Sequence, residues 1–209
     1  MEESFLQDNV STGTTIMAFK YKEGIMFAAD SRTSSGQFVS CYYSDKITRL
    51  TDNILCCRAG NAAHTKYLQR ICTRETKKLA AIEKTQPSIS KMAHMLGSII
   101  YDNSDKISAA FIVGGYDQGF ELYKIVPDGT VIPTDIEISG SGSAFIYGFM
   151  DKLYKPNMEF KDALDFAVTM VRLAIKRDNS SGGVVRIATM DSEAVVKRYL
   201  LEGDKVFME

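Results

Sequence analysis

The sequence is poor in the groups that most hydrolases use at neutral pH. Its 209 residues include two histidines, His64 and His94, and no H-x-x-x-H pattern joins them. A Ser–His or Cys–His hydrolase is therefore not signalled. The four cysteines, Cys41, Cys56, Cys57 and Cys72, contain no C-x-x-C pair, so a zinc site or a dithiol framework has no support. Cys56 and Cys57 are neighbours, and adjacent strand residues point to opposite faces, so they read as two small reduced thiols in a core. Charge of one sign is also missing: 25 Lys and Arg stand against 26 Asp and Glu, for a net charge of −1. Nucleic acid drops out as a favoured partner. No apolar run approaches the roughly 20 residues a membrane helix needs. The first 13 residues hold Glu2, Glu3 and Asp8 and no basic residue, unlike a secretory signal or a mitochondrial presequence. The expected address is cytoplasm or nucleus.

What is present is an ordinary globular composition, 45% hydrophobic and 24% charged, long enough for one domain with a sizeable core. Strands are predicted over 14–21 and 24–30, with Lys22-Glu23-Gly24 as the turn, and then over 37–43, 46–51 and 53–58. Helical spacing follows in Ala62, Ala63, Tyr67, Leu68, Ile71 and Cys72, and again in Met92, Met95, Leu96, Ile99 and Ile100 after Pro87-Ser88. Strands return over 108–116, 120–126 and 136–139. Helices are predicted over 143–154 and 160–177, the latter burying Leu164, Ala167, Val168, Val171 and Ile175. Strands over 184–190 and 194–201 close the chain. Such segregated runs favour an α+β fold in which two packed sheets carry the helical pairs outside.

The stretch Ser139-Gly140-Ser141-Gly142-Ser143 invites a nucleotide reading and fails it. A Rossmann fingerprint needs a third glycine where Phe145 stands, and a P-loop needs a lysine, yet none occurs until Lys152. A tight turn opening a helix remains, with backbone N–H groups and hydroxyls at the helix start.

Gly13-Thr14-Thr15-Ile16 carries more. A threonine hydroxyl is a poor nucleophile without a base beside it. If the chain were cut after Gly13, the α-amine of Thr14, with an ordinary pKa of about 7.7–8.0, would take its proton at neutral pH. Gly13 offers little hindrance to the backbone distortion of self-cleavage. Gly-Thr alone is a common dipeptide, and an unremarkable first strand is by far the commoner explanation of it. Asp30 lies 16 residues beyond Thr14 and Lys46 lies 32 beyond it. If the first two strands form a hairpin and the third returns beside them, the three side chains share one pocket. There the lysine would lower the pKa of the hydroxyl and the aspartate would hold the lysine charged.

GTTIMA, AADSRTSSG, DKITRL, SGSGSAFIYGFMDKLY and RDNSSGGVVRIATM, in that order and at these intervals, resemble the β subunits of the eukaryotic proteasome core across residues 11–201. The resemblance implies the four-layer αββα sandwich of amino-terminal-nucleophile hydrolases, with 1–13 a propeptide removed by self-cleavage between Gly13 and Thr14, and 14–209 the catalytic domain. It implies Thr14 as nucleophile, Asp30 and Lys46 as its charged partners, and Ser141, Asp178 and Ser181 as organisers of the threonine amine and a nearby water. It makes the Gly60 N–H the oxyanion donor and puts Arg58 at the base of the first specificity pocket, with Thr33 and Ala62 lining it. Arginine there belongs to the caspase-like type, which cuts after Asp or Glu, and 145–148 and 180–183 lean the same way. Asn61 and Ser44 depart from the pattern at the pocket border. The resemblance further implies unfolded polypeptide substrates, partner β subunits and an α ring, and no metal or cofactor. An acidic leader would shield Lys46 and Arg58 until assembly. The competing readings are a non-catalytic ring-closing β subunit, the simpler bacterial relative, and another member of the enzyme class such as an amidase.

Overall fold

Alternation along the first hairpin shows how the layers form. In the computed structural model, which describes residues 13–35, 38–203 and 205–208, β1 (Ile16–Tyr21) pairs antiparallel with β2 (Gly24–Ala29), Ile16 lying opposite Ala29. Ile16, Ala18, Ile25, Phe27 and Ala29 point to one side, and Met17, Phe19, Tyr21, Met26 and Ala28 to the other. Both sides are apolar because both are covered.

Two sheets result. The first runs β10 (Ile136–Ser139), β1, β2, β11 (Val185–Met190), β12 (Val196–Glu202), β13 (Lys205–Met208). The second runs β5 (Ile47–Thr51), β6 (Ile54–Gly60), β7 (Ala109–Tyr116), β8 (Phe120–Ile125), β9 (Val131–Pro133). The short hairpin of β3 (Thr33–Ser35) and β4 (Phe38–Cys41) stands apart. Phe27, Ile47, Leu55, Cys57, Ile112 and Ala188 fill the space between the sheets. Gly114 makes room for that packing, since a Cβ there would come within 3.2 Å of the Phe27 ring.

The outer layers are helical. On the second sheet, α1 (Ala62–Glu83) and α2 (Ile89–Tyr101) bury Leu68, Cys72, Met92, Leu96 and Ile100 against Ile54, Cys56, Phe111 and Val113. On the first, α4 (Phe160–Arg177) buries Ala163, Phe166, Ala167, Met170, Val171 and Ala174. The chain is thus an α+β sandwich with layers in the order αββα. Cys56 faces the helices and Cys57 the sheet interior, and burial pushes both thiols up, which leaves them unreactive.

Several boundaries differ from the sequence reading. Residues 143–154 are not one helix: a 3₁₀ turn, Ser141–Phe145, gives way at Ile146 to the short α3 (Tyr147–Leu153). Ile146 is fully buried in the cluster beneath α4, and its backbone leaves helical geometry at φ −123° to put it there. Leu164 and Ile175 sit at the margin of the α4 contact rather than its centre. The strand β13 is exposed along its length, so no alternation announced it. Asn61 caps α1, its amide oxygen accepting from the Ala63 and His64 N–H groups at 2.9 and 3.2 Å. Asparagine is among the best helix caps. The leader itself, residues 1–12 with Glu2, Glu3 and Asp8, lies outside the described residues, as does Gln37.

Candidate active site

One end of the sandwich gathers the candidate residues, and strand register explains why. Thr14 precedes β1 and Asp30 follows β2, so the Ile16–Ala29 pairing sets them side by side. Lys46 precedes β5 while Arg58 and Gly60 close β6, where Ile47 lies opposite Cys57. Lys46 thus reaches Thr14 from the facing sheet, not from a third strand beside the hairpin as the spacing argument supposed.

Asp30 is fully buried and accepts four hydrogen bonds. Its Oδ1 takes Lys46 Nζ at 2.6 Å and the Thr15 N–H at 2.9 Å, while Oδ2 takes the Gly182 and Arg32 N–H groups at 3.0 and 3.2 Å. Lys46 Nζ also donates to Thr14 Oγ1 at 3.1 Å and to the Gly13 carbonyl at 3.3 Å. Three donors meet three acceptors, which is the full complement of a charged ammonium. Burial pulls the Lys46 pKa below the ordinary lysine value, and the Asp30 carboxylate only partly offsets it. Thr14 Oγ1 in turn donates to the Gly13 carbonyl at 2.6 Å.

A second arm reaches the other side of Thr14. Its N–H donates to Ser141 Oγ at 3.0 Å, and the Ser141 hydroxyl donates to Asp178 Oδ2 at 2.6 Å. Ser181 Oγ donates to the same oxygen at 2.7 Å and lies 2.8 Å from Thr15 Oγ1. Burial pushes the Asp178 carboxyl up, but the Ser141 and Ser181 hydroxyls and the 180–181 backbone outweigh it and hold it below the usual value. Asp178 is accordingly an acceptor. Two close approaches fix the segment: a Cβ on Gly13 would lie 2.1 Å from the Ser180 carbonyl oxygen, and one on Gly140 would lie 2.2 Å from that of Thr14.

Gly13, Thr14, Thr33, Lys46, Arg58, Gly60 and Ala62 line one cavity of about 10 Å³, room for about one water. Gly60 sits at φ 105°, a conformation that side chains rarely adopt, and a Cβ there would meet the Ser108 carbonyl at 2.6 Å. Arg58 is 7% exposed. Its Nη2 donates to the Asp45 carbonyl at 2.6 Å and its Nη1 to Thr65 Oγ1 at 3.4 Å, while Nε is buried without a hydrogen-bond partner. Among the described residues no carboxylate forms an ion pair with it, although the Asp45 carboxylate is near enough to favour its charge.

All ten residues singled out in the sequence thus meet at this end, together with Gly13. Sequence reasoning missed the backbone N–H groups of Thr15, Arg32 and Gly182 on Asp30, and the Asp45 carbonyl on Arg58. Backbone groups carry no residue-type signature, so although Thr15, Arg32, Asp45 and Gly182 all lie in the conspicuous motifs, nothing in the residue types marked their main-chain roles. Among the described residues no group of three His, Cys, Asp or Glu could hold a metal ion, and no helix is long and apolar enough to cross a membrane.

Known proteins share this chain's sequence over most of its length. Residues 10–190 match the family described as Proteasome subunit. The probable proteasome subunit beta type-1 of Encephalitozoon cuniculi is 39% identical over 195 residues, spanning 93% of this chain and 95% of its own. The probable proteasome subunit beta type-1 of Schizosaccharomyces pombe is 38% identical, spanning 91% of this chain and 85% of its own. The proteasome subunit beta type-6 of Arabidopsis thaliana is 40% identical, spanning 94% and 84%.

Proposed function

The chain belongs to the proteasome subunit family as a β subunit, and on that premise we propose that it is catalytic: a threonine endopeptidase that frees its own nucleophile by cutting between Gly13 and Thr14. β subunits of this family assemble with other β and with α subunits in stacked rings. The observation that carries the proposal is Lys46 Nζ, 3.1 Å from Thr14 Oγ1 and 2.6 Å from the buried Asp30 carboxylate. A subunit that only closes a ring has no use for that buried pair beside an intact Gly-Thr junction.

In the uncut chain the Thr14 nitrogen is an amide and accepts no proton. Oγ1 adds to the Gly13 carbonyl carbon, which Lys46 polarises through its oxygen. The Gly13–Thr14 amide then breaks, the hydroxyl proton ends on the freed amine, and water hydrolyses the resulting ester. From then on the amine, held by the Ser141–Asp178 arm, takes the Oγ1 proton as Thr14 attacks a substrate carbonyl. The Gly60 N–H receives the developing oxyanion. The acyl-enzyme ester forms, the substrate amine leaves with the proton, and a second water releases the acyl half.

Arg58 gives the preference for Asp or Glu before the cut. A buried guanidinium without an ion-pair partner gains by meeting a carboxylate and loses by meeting an apolar side chain. Replacing Arg58 with methionine is expected to lower kcat/KM for acidic substrates by about 10- to 100-fold, with apolar substrates gaining relative to them. Unfolded polypeptides in the cytoplasm and nucleus are the substrates this reading implies. Intact mass and amino-terminal sequencing of the chain from the assembled complex test it. A mature terminus at Thr14 is the expected result, and a chain that retains its leader after assembly would refute it.

A further inference from the structure

The contact between Lys46 and Thr14 crosses from one sheet to the other. Lys46 precedes β5 of the second sheet, while Thr14 and Asp30 flank the β1–β2 hairpin of the first. The packing between the sheets is apolar and therefore non-directional, so it does not by itself set a hydrogen bond to tenths of an ångström. Lys46 also acts from the end of a flexible four-carbon stem, and its reach depends on how the backbone at its root is held.

That root is gripped from the first sheet. Arg198, on β12, donates from Nη2 to Asp45 Oδ2 at 2.6 Å and to the Ile47 carbonyl at 3.2 Å, the residues on either side of Lys46. Asp45 closes the bend from within, its Oδ1 accepting the Ile47 N–H at 3.0 Å. The Ser44 N–H adds a main-chain tie to the Ser31 carbonyl at 2.8 Å. The side chains of Arg198 and Asp45 are 29% and 44% exposed, and an ion pair so placed adds little to stability. What the guanidinium does supply is direction, because it spans both flanks of one bend.

We infer that Arg198 is a positioning residue for Lys46: acting through the Asp45 bend, it pegs the lysine backbone to the sheet that carries Thr14 and Asp30. Arg198 does not line the cavity at Thr14, so its effect passes through that bend. The inference rests on the proteolytic reading above for its effect on rate, but the geometry can be measured without proteolysis.

Electron cryo-microscopy of the assembled complex carrying Arg198→Met reads that geometry. The distance from Lys46 Nζ to Thr14 Oγ1 is expected to rise from 3.1 Å to beyond about 3.6 Å, past hydrogen-bond range. Asp45→Asn keeps the Oδ1 acceptor for Ile47 but removes the charge Arg198 holds, and should give the same shift in a milder form. Turnover supplies the second arm. In Arg198→Met kcat should fall about tenfold with KM nearly unchanged, by one factor for acidic and apolar peptides alike. Arg198→Lys should recover part of the loss, and the double variant with Asp45→Asn should be no slower than Arg198→Met alone, since both cut one link. Lys46 found in its original place in Arg198→Met would overturn the inference. So would additive losses in the double variant, or a loss seen in KM and confined to acidic peptides, which would tie Arg198 to Arg58 instead. If the unmodified complex cuts no peptide while Lys46 still shifts in the variant, the protease reading fails and the positioning role stands.

Discussion

Lys46→Met is expected to stop leader release and to lower peptide cleavage by about 10³-fold. Methionine matches the length of the stem but removes all three donors from Asp30, Thr14 Oγ1 and the Gly13 carbonyl. It also strands a fully buried carboxylate, at a cost of about 3–5 kcal/mol, so a folding defect must be told apart from a chemical one. Lys46→Arg makes that separation. It keeps a positive charge beside Asp30, yet a planar fork cannot give one donor to each of three acceptors set around a single nitrogen. The expected result is a folded, assembled subunit, seen by thermal melting and complex isolation, with its leader still attached. Normal leader release in Lys46→Arg would remove the lysine from the mechanism.

The pH profile gives a second readout of the same group. Peptide cleavage should rise as the Thr14 amine loses its proton, near its ordinary pKa of about 7.7–8.0. It should fall again as Lys46 loses the charge that holds its three acceptors. Because burial lowers the Lys46 pKa, that falling limb lies below the ordinary lysine value of 10.5. Leader release involves no free amine and should lack the rising limb. A cleavage profile still flat as pH passes 10.5 would contradict the assignment.

Much of this arrangement was legible in the residues. The hairpin through Lys22-Glu23-Gly24 fixes Thr14 beside Asp30, and both strands are near-continuous apolar runs, as strands covered on both faces are. The origin of Lys46 was not legible. Spacing along the chain says that a strand returns, but not to which sheet, and here the return is to the facing one. The break at Ile146 was hidden for a related reason. Residues 143–154 have helical spacing, and only the pocket beneath α4 pulls Ile146 out of register. The donors around Asp30 were beyond reach because they are main-chain groups.

Gly13→Ala carries the other large effect. The added methyl would stand 2.0 Å from Ser180 Cβ and 2.1 Å from the Ser180 carbonyl oxygen, so the backbone must move. Ser180 and Ser181 hold Asp178, and Asp178 holds Ser141 against the Thr14 nitrogen. A shift of about 1 Å there is expected to slow leader release about 10²-fold. A chain produced directly from Thr14 has no residue 13 and should cut peptides normally, which separates a processing defect from a structural one. Unimpaired release in Gly13→Ala, followed by mass spectrometry over the course of assembly, would mean that the close approach has no role.

The Asp30 carboxylate has a consequence for hydrogen exchange. Three amides, of Thr15, Arg32 and Gly182, end on its two oxygens from segments far apart in the chain, and the ammonium from the opposite sheet ends there too. None of the three can open to solvent for long without exposing the same ion to loss of its partners. Their exchange should therefore follow a single opening event with a common free energy, although local fraying would ordinarily give each loop its own.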